Sequence, residues 1–165
     1  MKSKTRFKNS QQHKEPAYFL DRQLGAYKLP GILRAAGFML ETHLERYGSM
    51  RDMEPDPHIA LECGKQKSVL ITADPDCEHT YGKEVLEARI AVFHLTNNHD
   101  GAEIWGSRIL KAHSDMTREL GRRRKPFVAH ITTEGRVSLV RLYYKKKIKT
   151  IHIRKPKITA SATAV

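Results

Sequence analysis

The chain alternates short apolar runs with longer segments in which apolar residues recur every three or four positions. The short runs predict β-strands and the longer segments predict amphipathic helices. The predicted strands cover Ala17–Asp21, about Phe38–Thr42, Ser68–Asp74 and Ile90–Leu95. This alternating order is typical of an α/β fold, in which a mostly parallel central sheet carries helices on both faces.

Helix signals fill the gaps between these strands. In the first helix Leu29, Ile32, Leu33 and Ala36 follow the helical spacing, and Gly37 suits the position after its end. Asp56 and Pro57 are typical of a helix start, as N-cap and first helical residue. The other predicted boundaries are a loop at Leu44–Pro55, the end of the second helix at about Gln66, and helices at about Gly82–Arg89 and Gly101–Leu120.

The last part of the predicted domain has a different pattern. Phe127–Ile131 and Val137–Leu142 alternate apolar and polar residues on either side of turn residues, which predicts a β-hairpin. This hairpin would extend the sheet edge or dock a partner. We therefore divide the chain into a disordered basic N-terminus at 1–16, an α/β domain with its closing hairpin at 17–142, and a basic tail at 143–165.

Charge is distributed unevenly along the 165 residues, whose net charge is +12. Met1–Lys14, Arg122–Lys125 and Arg141–Lys157 hold 17 of the 30 Lys and Arg residues and none of the 18 Asp and Glu residues. A mildly acidic body therefore carries basic segments. Such segments favour binding to a polyanion, most commonly nucleic acid, although a solvated surface is the simpler alternative.

Several classes of protein are not indicated by the sequence. There is no apolar run of the ~20 residues that span a bilayer, and the N-terminus lacks the apolar core of a signal peptide, so no membrane association is expected. Cys63 and Cys77 match no zinc spacing and predict free thiols in a reducing cytoplasm. The nine histidines form no ligand pattern, and glycine-rich phosphate loops and a Gly-x-Ser-x-Gly elbow are absent.

Acidic residues at predicted strand ends are the main candidates for chemistry. Asp21 ends the first strand, Asp74 ends the third, Asp76 follows it, and Asp56 begins a helix. Because the carboxyl ends of parallel strands meet at one sheet edge, we expect Asp21, Asp56 and Asp74 to converge there. Carboxylates select Mg²⁺ or Mn²⁺, which can activate water against a phosphodiester. Each acid alone also fits a turn or capping role.

Basic side chains complete this hypothesis. A basic rim would hold a nucleic acid backbone around an acidic, metal-binding pit, as a nuclease requires. Arg22 follows Asp21 directly, where it would meet a phosphate or pair with that acid. The other candidates for nucleic-acid binding are the basic residues Arg122, Arg123, Arg124, Lys145, Lys146 and Lys147.

The residues from about Tyr18 to Val137 resemble PIN-like domains of the VapC toxin type. The resemblance rests on the order and spacing of short segments rather than on a single diagnostic motif. These segments are Phe19–Arg22 with Leu24-Gly25, Leu29-Pro30, Leu33–Gly37, Glu45–Gly48, Asp56 before its helix, Val69–Asp74, Pro126–Ala129 and Glu134–Val137.

The resemblance implies a metal-dependent ribonuclease fold, with toxins of toxin–antitoxin pairs as prominent members. The acidic ligands of the family fall on Asp21, Asp56 and Asp74, and Asp76 matches a further acid of some relatives. Leu44 stands where many relatives have an acid. The expected function is therefore a cytoplasmic, Mg²⁺- or Mn²⁺-dependent endoribonuclease that acts on RNA, with an antitoxin protein and a second copy of the chain as candidate partners.

Two other functions compete with this one. A non-catalytic RNA-binding module with the same fold would depend on the basic tail rather than on the acids. A phosphorylatable receiver-like domain also has acids at strand ends, but it needs paired acids after the first strand. Only Asp21 lies there, followed by Arg22, so this alternative ranks last.

Overall fold

The computed structural model describes residues 16–49, 56–78, 82–144 and 147–153. The strands are β1 Tyr18–Leu20, β2 Leu40–Thr42, β3 Val69–Thr72, β4 Ala91–Leu95, β5 Phe127–Ile131, β6 Val137–Tyr144 and β7 Lys147–His152. The helices are α1 Lys28–Ala35, α2 His43–Tyr47, α3 Asp56–Gln66, α4 Gly82–Ala88 and α5 Ala102–Arg122. Short 3-10 helices cover Arg22–Leu24 and Pro75–Glu78.

All seven strands form one sheet in the order β2-β1-β3-β4-β5-β6-β7. The first five strands in this order pair in parallel, and β6 and β7 each pair antiparallel to their predecessor. The predicted α/β class, with a mostly parallel sheet and a C-terminal hairpin, is therefore confirmed. The hairpin extends the sheet, because β5 pairs directly with β4.

Successive side chains of each strand point to opposite faces, which gives the sheet two apolar cores. One face packs against α1 and α5, and its buried residues include Leu20, Ile71, Phe93, Leu33 and Ile109. The other face packs against α3 and α4, and its buried residues include Phe19, Leu70, Val92, Ile59 and Val85. The arrangement has the three layers expected of a PIN-like fold.

Helix α2 lies in a stretch that the sequence analysis assigned to a loop. A capping box begins the helix, since Thr42 Oγ1 accepts from the backbone N–H of Glu45 and the carboxylate of Glu45 accepts from the N–H of Thr42. Gly48 ends it with a positive φ of 69°. The loop prediction for Leu44–Tyr47 was wrong, because the capping residues stabilise a helix too short to show a periodic apolar pattern.

Strand β7 was not predicted either. It pairs antiparallel with β6, with Val140 opposite Ile151 and Leu142 opposite Lys149. Lysine is common on edge strands because its charge opposes further strand pairing. The high density of lysines is the reason why residues 143–165 were predicted to be a basic tail and not a strand. Residues 154–165 and the N-terminal segment 1–15 lie outside the described residues.

A buried arginine fixes the start of α5 against the sheet. Arg108 Nε donates to the Thr132 carbonyl at 2.9 Å, Nη1 donates to Asp100 at 2.7 Å, and Nη2 donates to the Ile131 carbonyl at 2.8 Å. This one side chain therefore connects α5 to the ends of β4 and β5. In the part of the chain that the structure describes, no helix is both long and apolar enough to cross a membrane.

Candidate active site at the carboxyl edge of the sheet

The ends of β1 and β3 bring two aspartates to the same edge of the sheet. Leu20 lies opposite Ile71, and the backbone N–H of Asp21 donates to the Ile71 carbonyl at 3.0 Å. Asp74 follows β3 by two residues. Asp21 is 5% exposed and Asp74 is 8% exposed. The prediction that parallel strand ends would bring these two acids to one edge is thus met by the backbone geometry.

Thr72 connects the two aspartates. Its hydroxyl donates to Asp21 Oδ2 at 2.7 Å and accepts from the backbone N–H of Asp74 at 3.0 Å. Asp21 Oδ1 accepts from the backbone N–H of Arg22 at 2.7 Å. These two hydrogen bonds fix the orientation of the Asp21 carboxylate at the edge of the sheet where Asp74 also lies.

These two acids make a donor set that fits a hard divalent cation. Carboxylate oxygens are the ligands that Mg²⁺ prefers, and Mg²⁺ is commonly held by one or two carboxylates while it keeps several waters. Among the described residues, no group of three or more His, Cys, Asp or Glu side chains is arranged to hold a metal ion. Asp21 and Asp74 alone would therefore be an incomplete ligand set, and a role in metal binding stays a prediction.

Asp56 and Asp76 were predicted to complete the site, and their side chains lie outside the described part of the structure. The backbone of Asp56 begins α3, which packs on the same sheet face as Phe19. Because α3 leads into the start of β3, its first residue lies towards the carboxyl edge. Asp76 belongs to the 3-10 helix directly after Asp74. Their roles as ligands stay predictions.

The acids of the β2–α2 segment have structural partners. Glu45 pairs with Arg34 at 2.6 Å, and the pKa of Glu45 is lowered, chiefly by the backbone hydrogen bond from Thr42. Glu41 pairs at 2.6 Å with Arg46, whose guanidinium lies 3.9 Å from the centre of the Phe19 ring. These contacts account for both acids without a role in metal binding.

The same arginine contacts a buried cysteine. Arg46 Nη1 lies 3.7 Å from Cys63 Sγ. Burial raises the pKa of the Cys63 thiol to about 11, against the opposing effect of Arg46. Cys77 is also buried, and Cys63 and Cys77 are thiols rather than halves of a disulfide, as predicted.

The predicted nucleic-acid-binding residues do not all lie beside the acids. Arg22 does, because it follows Asp21. Helix α5 leaves the carboxyl end of β4 and returns to the start of β5, so Arg122–Arg124 lie at the opposite, amino edge of the sheet. The end of β6 lies at that edge too, since Leu142 pairs with Phe127. Lys145 and Lys146 themselves, and the side chain of Lys147, are outside the described residues.

Within the arginine cluster, one member has an internal role. Arg123 is only 11% exposed and donates to the fully buried carboxylate of Glu119 at 2.5 Å. Arg122 lies 3.7 Å from the same carboxylate and is exposed, and Arg124 is exposed as well. The surface available to a polyanion at this edge is therefore built by Arg122 and Arg124 rather than by all three arginines.

Two histidines continue the row of polar side chains that starts at Asp21. His94 on β4 lies opposite Thr72, and His130 on β5 lies opposite His94. Their ring centres are 5.1 Å apart, with the planes at 83°. From the sequence, the nine histidines form no ligand pattern, and no role was predicted for these two. The available signal was that both histidines occupy the next-to-last position of a predicted strand.

Comparison with known proteins gives one partial match. The curated "Putative ribonuclease VapC45" of Mycobacterium tuberculosis is 42% identical to this chain over 50 residues. The matched stretch covers 28% of this chain and 36% of that protein. No protein-family model matches the chain, and no solved structure matches it. The match supports a relationship to VapC-type ribonucleases over a minority of the sequence.

Proposed function

We propose that this protein is a Mg²⁺- or Mn²⁺-dependent endoribonuclease of the PIN-like, VapC type. The observation that carries the proposal is the Asp21–Thr72–Asp74 arrangement at the carboxyl edge of a parallel sheet. The three-layer fold and the partial similarity to a VapC ribonuclease support the same conclusion. The substrate is RNA, and the reaction is hydrolysis of a phosphodiester bond.

In this proposal the acidic side chains bind the cation. Asp21 and Asp74 bind it directly, and Asp56 and Asp76 complete the site directly or through water. A divalent cation at such a site supplies charge neutralisation for the scissile phosphate and lowers the pKa of a bound water. The hydroxyl of Thr72 keeps one oxygen of Asp21 oriented, and the backbone N–H of Arg22 does the same for the other.

The basic segments have a separate role in the proposal. Arg22 lies near the cleavage site and contacts the RNA there. Arg122 and Arg124 contribute long-range attraction for a polyanion from the opposite edge of the sheet, and the positive charges of Lys145–Lys147 add to this attraction. By analogy with toxin–antitoxin pairs, a protein antitoxin inhibits the enzyme in the cytoplasm, and a second copy of the chain is a further candidate partner.

The test is RNA cleavage by the wild type and by Asp21→Asn and Asp74→Asn, with and without Mg²⁺ or Mn²⁺. Glu103→Gln is the matched control, since it also replaces a carboxylate by an amide but lies on the exposed surface of α5. We expect metal-dependent cleavage that both aspartate variants lose and that the control keeps. Unchanged cleavage in both aspartate variants would refute the proposed site.

A non-catalytic RNA-binding module is the second candidate function. It is favoured by the position of Arg122 and Arg124 away from the acids. In that case alanine substitutions at Lys145–Lys147 would weaken RNA binding far more than substitutions of Asp21 or Asp74. Comparison of RNA affinity across these variants separates the two functions.

A further inference from the structure

The surroundings of the carboxylate pair pose a problem for RNA binding. Arg122–Arg124 lie at the amino edge of the sheet, whereas Asp21 and Asp74 lie at the carboxyl edge. A polyanion that reaches two buried carboxylates needs donors for its phosphates at that same edge. Arg22 follows Asp21 at this edge, and the side chains that continue across the sheet from Thr72 are the imidazoles of His94 and His130.

Strand register fixes the position of these imidazoles. Leu20 lies opposite Ile71, Thr72 lies opposite His94, and His94 lies opposite His130. Side chains alternate between faces, so these histidines share with Thr72 the face that carries α3 and α4. Adjacent strands are about 4.8 Å apart, which puts His94 about one spacing and His130 about two spacings from Thr72.

The two histidines differ in exposure. His94 is 8% exposed and lies between Thr72 and the ring of His130, whereas His130 is half-buried and reaches the surface. The edge-on contact between the rings fixes the orientation of the outer imidazole. An imidazole N–H donates a hydrogen bond to a phosphate oxygen in either protonation state, because the neutral ring keeps one N–H.

We propose that His94 and His130 form a phosphate-binding element for single-stranded RNA at the same sheet edge as the carboxylate pair. His130, three strands from Asp21, donates to a phosphate further along the RNA from the bond to be cleaved. His94 is a positioning residue, which holds the His130 ring in place from the adjacent strand. This inference deepens the proposed ribonuclease function and rests on it for the identity of the ligand. It also gives a role to His94 and His130, which the proposed metal site does not use.

Substitutions at His130 can distinguish the effect of the N–H donor from the effect of the aromatic ring. His130→Phe keeps an aromatic ring against His94 but removes the N–H, and His130→Gln restores an N–H donor without the ring. His113→Phe is the matched control, since His113 lies on the opposite face of the sheet and stacks on Phe38 at 4.6 Å. Thermal unfolding of each variant shows whether it folds.

The experiment measures binding of a short single-stranded RNA by fluorescence anisotropy, in EDTA and at fixed salt, so that metal-dependent cleavage does not interfere. We expect His130→Phe to lose about tenfold in affinity, as for loss of a hydrogen bond to a charged group. His130→Gln should recover much of that loss, and His113→Phe should bind like the wild type. Affinity within twofold of the wild type for His130→Phe would overturn the proposal.

A second measurement uses the unmodified protein and therefore does not depend on the folding of a variant. Imidazole ¹⁵N signals are followed by NMR during titration with the same RNA. The signals of His94 and His130 should shift and that of His113 should stay, whereas unmoved His130 signals would overturn the inference. If the His130 signals shift on RNA binding but the protein does not cleave RNA, only the proposed ribonuclease activity is refuted. If the protein cleaves RNA but the His130 signals do not shift, only the proposed phosphate-binding element is refuted.

Discussion

Thr72 donates its hydroxyl hydrogen to Asp21 across two neighbouring strands, at 2.7 Å and with both side chains buried. The same hydroxyl accepts from the backbone N–H of Asp74. One small side chain therefore determines how two acids from distant parts of the sequence are presented at the sheet edge. The proposed metal site depends on this relationship as much as on the acids themselves.

Substitution of Thr72 tests this dependence. Thr72→Val keeps the shape but removes the hydroxyl that donates to the buried Asp21 Oδ2, and it should lower the free energy of unfolding by about 1–3 kcal/mol. Metal affinity should fall as well. Thr72→Ser keeps the hydroxyl and should retain most of both properties. Chemical denaturation and metal titration measure the two effects, and equal behaviour of the two variants would contradict this role of the hydroxyl.

The buried Arg108 should be essential for stability. Arg108→Ala removes the hydrogen bonds from the buried guanidinium to Asp100 and to the carbonyls of Thr132 and Ile131, and we expect a loss of about 3–5 kcal/mol in the free energy of unfolding. Lys28→Ala is the control, because its ion pair with Glu103 is exposed and should cost less than about 1 kcal/mol. Urea denaturation of both variants gives the comparison. Similar losses in the two would refute the network.

Helix α2 should depend on its capping box and on pH. Thr42→Ala removes the cap and should cost about 1 kcal/mol of unfolding free energy. The folded-state pKa of Glu45 is lowered from 4.5, so its contribution is present above that pH and is lost as the pH falls through the folded-state value. Glu45→Gln should show a smaller acid-induced loss of stability than the wild type. If the free energy of unfolding of Glu45→Gln fell with pH in the same way as that of the wild type, this role of Glu45 would be contradicted.

Cys63 should react slowly with thiol reagents in the folded protein. Burial raises its pKa to about 11, so the reactive thiolate is scarce at pH 8, and the side chain is inaccessible. In a Cys77→Ala variant, a disulfide reagent should label Cys63 much more slowly in the native state than in guanidinium. Equal labelling rates in the two states would show that Cys63 is not buried.

The sequence predicts the parts of the fold that follow from local patterns. Strand-length apolar runs and helical spacing located β1, β3, β4 and α5, and the rule for parallel strand ends brought Asp21 and Asp74 together correctly. The bond from Thr72 to Asp21 could not be predicted, because it depends on the register between strands that are far apart in sequence.

Other features that the sequence did not predict also depend on contacts between distant residues or on short capping motifs. His94 and His130 meet only because β4 and β5 pair in parallel, a pairing that follows the 21-residue helix α5. A count of charges could not show that Arg123 is used internally by Glu119, since that requires knowledge of burial. Helix α2 has only five residues, so capping chemistry rather than periodicity decides its structure.

Calorimetric titration with Mn²⁺ and Mg²⁺ tests the central claim most directly. It is performed at fixed salt on the wild type, on Asp74→Asn and on the surface control Glu103→Gln. We expect the wild type and Glu103→Gln to bind the cation and Asp74→Asn not to bind it. Binding that survives unchanged in Asp74→Asn, or no binding by the wild type, would contradict a metal site at this edge of the sheet.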